Sequence, residues 1–244
     1  MKTLTFAMRN TKEIVRDRIN IVFGILFPLV LLLLLTLIQS NIPVEQFPID
    51  KLAPGIAIFG LSFISLFSGL LISKDRESSF MMRLMSSPMK AKDFIIGYIV
   101  PMLPMAIIQS TVCFIVALFL GLSWTPYIIL AIIATIPSAC IFIGIGLICG
   151  TFLTDKQVGG LCGALLTNLS AWFSGTWFDV ALVGGVFEKI ANCLPFIHAV
   201  NLGKAIIQGE LLTIFPELLW VVGYALIILV LAIFLFTKRM NKIY

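Results

Sequence analysis

Charge is what this sequence has least of. Asp, Glu, Lys and Arg make up 12% of its 244 residues, where a soluble domain carries ~25%, and 60% of the chain is apolar. A soluble fold of this size cannot bury that much apolar surface. A soluble enzyme, a disordered chain and a nucleic-acid binder are thereby excluded. The patterns of several chemistries are missing as well. The chain has no GxxxxGK[ST] phosphate loop, no HExxH and no GxSxG. It is therefore not expected to hydrolyse ATP itself, and no catalytic residue is assigned. Its single histidine, His198, lies among Pro195, Phe196 and Asn201 with no triad partners. The five cysteines, Cys113, Cys140, Cys149, Cys162 and Cys193, form no CxxC pair. Neither a metal site nor a disulfide framework is expected from them, and small buried thiols are the ordinary reading.

What the sequence does have is long apolar runs. Six of them, at 19–40, 52–73, 94–120, 127–150, 158–178 and 215–237, are each long enough for the ~20 residues of a membrane-spanning helix. The first is too long for a signal-peptide core and has no small-residue cleavage site, so it is expected to be retained. Pro28, Pro101, Pro104 and Pro137 fall inside runs, where neighbouring helices can satisfy the freed carbonyls. No run has a charge near its middle. That argues against a carrier driven through an intramembrane carboxylate, while leaving open one that uses backbone carbonyls.

The few charges are unevenly placed. Fourteen of the seventeen Lys and Arg residues lie in 1–18, 74–93, 151–157 and the C-terminal tail. The positive-inside rule puts those segments, and both termini, in the cytoplasm. The net charge of +5 is then topology, and no nucleic-acid partner is implied. The expected fold is all-α integral membrane, a single multi-pass domain of six spans in the cell membrane of a bacterium. Residues 1–18 place Leu4, Met8, Thr11, Ile14 and Val15 at helical spacing among basic residues, the pattern of an interfacial helix on the lipid bilayer. Gly146–Gly150 and Gly159–Gly163 are GxxxG pairs and predict close packing of the fourth and fifth spans, with a dimer contact as the alternative.

Between the second and third spans, 74–93 is too long for a turn and too apolar for a solvated loop. Ser78 or Ser79 caps a short helix, on which Phe80, Met81, Leu84 and Met85 share a face, and Pro88 stops it. Such a face has to be covered, by bilayer or by a partner.

This loop resembles the hallmark of the permeases of type-2 ABC exporters, in which an Arg-Glu pair, a short apolar helix and a Ser-Pro step follow the second span. Here these are Arg76-Glu77, Phe80–Met85 with Arg83, and Ser87-Pro88. The Ser174-Gly175 step and the later Pro195, His198 and Lys204 are similar to the family's outer-segment pattern. Two details depart from it: Ser78-Ser79 stands where Gly-Thr is common, and Lys204 where Arg is usual. The resemblance covers nearly the whole chain. It implies a coupling helix at 74–93, a partly re-entrant outer segment at 179–214, a separate ABC ATPase subunit carrying ATP and Mg, and a second permease subunit, alike or different. It also implies that spans two and five line the path, where Phe59, Ser62, Phe63, Phe67, Asn168 and Trp172 are the candidates. Packing is the competing reading for the Phe59–Phe63–Phe67 stripe. The function expected is ATP-driven export of an apolar or amphipathic substrate such as a drug, peptide or lipid. The alternatives are an ATP-independent carrier or channel, and a non-transporting immunity or scaffold protein.

Overall fold

The computed structural model describes residues 2–78, 80, 89 and 91–243, and among these it is helical with no strand. The chain starts with α1 (Lys2–Arg16) and a one-turn α2 (Arg18–Ile21). A wider π-type stretch, Val22–Leu26, leads into α3 (Phe27–Asn41). Pro48 enters α4 (Ile49–Glu77) in extended conformation. Asp50 in the first turn and Lys74 and Arg76 in the last complement the helix dipole. α5 (Ala91–Phe119) continues through Pro101 and Pro104, and α6 (Tyr127–Phe152) through Pro137.

The fifth apolar run is a composite. Thr154 and Gln157 form a capping box that starts α7 (Asp155–Val158). Eight residues of π-type turns, Gly159–Leu166, then pass into α8 (Thr167–Phe173). Helix ends at Phe173, short of the expected 178. Three short helices follow: α9 (Val180–Val183), α10 (Gly185–Cys193) and α11 (Pro195–Gln208), the last two meeting at 77°. Gly209, with φ of 73°, closes α11 in the left-handed conformation that glycine adopts freely. The chain ends in α12 (Leu211–Ile243). Among the described residues five stretches are long and apolar enough to cross a membrane: Val22–Asn41, Ile49–Glu77, Asp93–Phe119, Tyr127–Phe152 and Leu212–Met240. The α10–α11 pair is a sixth only if its sharp bend counts as one broken span. The protein is an all-α integral membrane protein.

One helix organises the rest. α4 is 89% buried over its most apolar stretch, against 22% for the first span and 17% for α12, so it is the hub. Its residues Leu61, Ser65, Ser68, Ile72 and Asp75 recur at steps of three and four and are all buried. α6 lies along this hub by backbone contact. A Cβ at Gly146 would stand 2.2 Å from the carbonyl oxygen of Ser65, and one at Gly150 would stand 2.4 Å from that of Gly69. This corrects the expectation that the two GxxxG pairs join the fourth and fifth spans. Gly146 and Gly150 serve the second span, because the hub is the helix with a matching small residue, Gly69, at that level. Gly159 and Gly160 have nothing within 4 Å, and Gly163 meets the side chain of Leu66.

α1 also differs from the expected single apolar face. Phe6, Ala7, Asn10 and Ile14 are buried against the protein, while Leu4, Met8, Thr11 and Val15 are exposed on another side. The helix therefore has two faces, one for protein and one apolar face left open.

Candidate functional site

At the end of the molecule that carries the basic segments, three helices meet around one carboxylate. Asp75, near the end of α4, is 3% exposed. Arg9 of α1 donates to its Oδ2 at 2.8 Å, and the Tyr98 hydroxyl of α5 donates to the same oxygen at 3.0 Å. A buried carboxylate is tolerable only when paired and hydrogen-bonded, and these two donors meet that need. Arg9 also donates to Asn10 Oδ1 at 2.9 Å and lies 3.6 Å from Glu13. Asn10 in turn donates to the carbonyl of Gly97 at 2.9 Å. Gly97 allows the close approach: a Cβ there would fall 2.3 Å from the Phe6 ring. Phe6 packs edge-on against Tyr98 at 5.1 Å and Phe94 at 5.8 Å. α1 is thus fastened to α4 by charge and to α5 by ring packing and an amide.

The next residue faces another way, since successive helix positions are about 100° apart. Arg76 Nη1 donates to the carbonyl of Thr151 at 3.1 Å, and Nη2 to that of Leu153 at 2.6 Å. These carbonyls belong to the last turn of α6 and to its extended C-cap residue Leu153, where no intrahelical donor remains. Arg76 is therefore the cap that ties α6 to α4, and Glu77 sits beside it, 4.0 Å from Nη2. Phe80 is half-buried, stacked on Phe6 at 6.5 Å, with the Arg9 guanidinium 4.4 Å from its ring. The expected coupling residues Met81, Arg83, Leu84, Met85 and Pro88 lie outside the described residues.

The candidate path residues fall into two groups that the fold does not bring together. Phe59, Phe63 and Phe67 on α4 are buried inside the subunit. Phe63 packs against Phe27 at 5.6 Å and Phe23 at 6.2 Å, and Phe59 against Trp177 at 5.7 Å. Ser62 is buried and donates to the carbonyl of Phe59 on its own helix at 2.6 Å. Asn168 and Trp172 are exposed on α8.

At the opposite end, the outer-segment residues form two clusters. Gly175, with φ of 67°, makes the turn after α8, and Lys204 of α11 donates to its carbonyl at 2.9 Å. Ser174 shares a hydrogen bond with Thr176 at 2.8 Å. Beside them is a cavity of about 630 Å³, lined in part by Lys51, Gly175, Asp179, Asn201 and Lys204. Pro195 occupies the first turn of α11, which needs no N–H there. One turn on, His198 stacks on Trp220 of α12 at 4.9 Å. Its Nε2 lies 2.9 Å from the carbonyl oxygen of Asn192 and its Nδ1 2.6 Å from Glu217. A carbonyl only accepts, so Nε2 carries a hydrogen and donates it. Nδ1 faces a carboxyl oxygen of Glu217, so the ring is held through both nitrogens.

Arg9, Asp75, Tyr98 and Glu217 were not among the residues singled out from the sequence. The signal for Asp75 was present: it continues the buried spacing of Ser65, Ser68 and Ile72. Among the described residues no group of three His, Cys, Asp or Glu is placed to hold a metal.

No curated protein matches the chain. The family model described as ABC-2 type transporter matches residues 1–207, from α1 to the last turn of α11. The chain belongs to the ABC-2 type transporter family, as a transmembrane component of such a transporter.

Proposed function

We propose that this permease is the path-forming half of an exporter, driven by ATP hydrolysis on a separate subunit and moving an apolar or amphipathic substrate. Family membership supports the partnership with an ATPase subunit. The observation that carries the finer reading is the buried Asp75 clamp. A motor subunit pressing on the 74–93 loop can do work on the spans only through rigid connections. Asp75 joins the loop's root to α1 and α5, and Arg76 joins it to α6. Phe80, held by Phe6 and Arg9, continues this into the loop, where Met81, Arg83, Leu84 and Met85 would dock the ATPase.

In this reading the basic end is cytoplasmic, both termini included, and the exposed Leu4, Met8 and Val15 of α1 rest on the bilayer. The chain crosses the cell membrane six times, with α7–α8 as the fifth crossing and α9–α11 as the partly re-entrant outer segment. A second permease subunit encloses the path, and the exposed Asn168 and Trp172 are better placed to meet it than the buried Phe59–Phe67 stripe.

The test is to look for a P-loop ATPase in the neighbouring coding sequence, to express the chain with it, and to compare Phe80→Ser/Leu84→Ser with the parent. The expected result is that less ATPase co-purifies and that its hydrolysis no longer responds to the permease. Unchanged co-purification would defeat the docking assignment. Transport into sealed vesicles without ATP or ATPase would replace it with a carrier.

A further inference from the structure

A second cavity opens at the basic end, between α1, α2 and the last turns of α4. Its volume is about 490 Å³. Phe67, Leu70 and Leu71 of α4 and Ile19 of α2 make its apolar wall, and Arg16, Arg18 and Lys74 stand in its lining with Glu13 and Asp17. The charges sort themselves by partner. Glu13 is taken by Arg9 at 3.6 Å, and Asp17 lies 3.9 Å from Lys74. Arg16 and Arg18 are exposed, and among the described residues neither is in an ion pair. Two guanidinium groups thus flank a cavity with one hydrocarbon wall, and its other charged groups, Glu13, Asp17 and Lys74, are already in ion pairs. The cavity also sits at a defined depth. It lies where α1, with its open apolar face of Leu4, Met8 and Val15, gives way to the first span, which is the level of lipid headgroups if α1 rests on the bilayer as proposed above.

We propose that this cavity binds one anionic phospholipid, with its phosphate between Arg16 and Arg18 and an acyl chain along Ile19, Leu70 and Leu71. The chemistry of the lining selects that occupant. Guanidinium presents a planar fork of donors that matches two phosphate oxygens at once. Basic pockets between spans at the headgroup level recognise anionic lipids. A free phosphate would satisfy the arginines but would leave the apolar wall facing water. A zwitterionic lipid would bring its own cation against two others. The bound lipid joins α1 and α2 to α4 beside the Asp75 clamp, since Leu71 stands one helical turn before Asp75 and Glu13 shares Arg9 with it.

The experiment uses the full chain in nanodiscs of phosphatidylcholine with a minor fraction of phosphatidylglycerol, released into mild detergent and examined by native mass spectrometry. Retention of a single phosphatidylglycerol is expected. Arg16→Gln/Arg18→Gln should lower that retention roughly ten- to thirty-fold, as the removal of two cations at a membrane surface implies. Arg16→Lys/Arg18→Lys should fall between, because charge remains but the fork is gone. Lys12→Gln/Lys156→Gln, which removes two charges outside the cavity, should leave retention at the parent level. Unaltered elution and melting of each variant show that the fold is kept. Equal retention in parent and Arg16→Gln/Arg18→Gln overturns the proposal. So does an equal loss in Lys12→Gln/Lys156→Gln, which marks diffuse attraction, or displacement of the lipid by inorganic phosphate alone, which marks an anion site without a lipid.

Discussion

The two ends of the molecule solve the problem of buried polarity differently. At the basic end one carboxylate, Asp75, gathers donors from two other helices that are far away in sequence. At the opposite end polar side chains mostly reach backbone carbonyls exposed by turns: Lys204 that of Gly175, His198 that of Asn192, Tyr224 that of Cys193. The first arrangement brings α1, α4 and α5 together on one carboxylate, with Arg76 adding α6 from the next residue. The second divides the connection among several contacts around short helices and glycine turns. A concentrated joint transmits movement, whereas a divided one tolerates local rearrangement.

Substitutions can break this contrast, and the largest effect is expected at Asp75. Asp75→Ala leaves Arg9 and Tyr98 without their acceptor, and removing one member of a buried pair costs about 3 kcal/mol. Melting of the detergent-purified chain should show it, and Asp75→Asn should recover part of the loss. The next largest is Gly146→Ala, where overpacking against the Ser65 carbonyl at 2.2 Å is expected to cost about 2 kcal/mol in the same assay. At the opposite end the effects should be smaller and shared. A double-mutant cycle with His198→Phe and Glu217→Gln should return a coupling of about 1.5 kcal/mol, the low end for a hydrogen bond to a charged group. A coupling as large as the Asp75→Ala loss would mean that the far end is also concentrated in one joint. The smallest effect belongs to Gly160→Ala, whose added Cβ meets nothing within 4 Å. It should change the melting of the isolated chain by under ~0.5 kcal/mol. A clear loss only when the chain is paired with a second permease would place that face at their interface.

Much of the fold was legible because its physics is local. The apolar runs predicted helices at 52–73 and 127–150, and α4 and α6 cover those residues and extend past them. The Arg76-Glu77 pair drew attention to the root of the loop. What could not be read was which residue of that charged stretch turns inward. Lys74, Asp75, Arg76 and Glu77 look alike as a solvated cluster, and only the continued three-and-four spacing of the buried face of α4 separates Asp75 from the rest. The partner of the Gly146–Gly150 pair was illegible for a related reason. GxxxG marks a surface that admits close approach, and which helix approaches depends on the central position of α4, a property of the whole bundle. Of the face assigned to α1, Leu4, Met8, Thr11 and Val15 are left open, whereas Ile14 is buried with Phe6 and Asn10, which fasten the helix and, with a polar residue among them, did not mark a face of their own.

The π-type turns of Gly159–Leu166 have a consequence for how this span is aligned and altered. A π-turn bonds residue i to i+5, where an α-turn bonds i to i+4, so it accommodates one more residue in the same turn. A helical wheel drawn straight through the span misplaces everything after it by about one position, or 100°. Asn168 and Trp172 then share a side with Gly159 and Gly160 differently from what the numbering suggests. By the same count, removing one residue inside this stretch restores an ordinary helix with both ends still in register, whereas removing one from the regular turns of α6 rotates every contact beyond it. Single-residue deletions should therefore be tolerated at 159–166 and ruinous at 141–148.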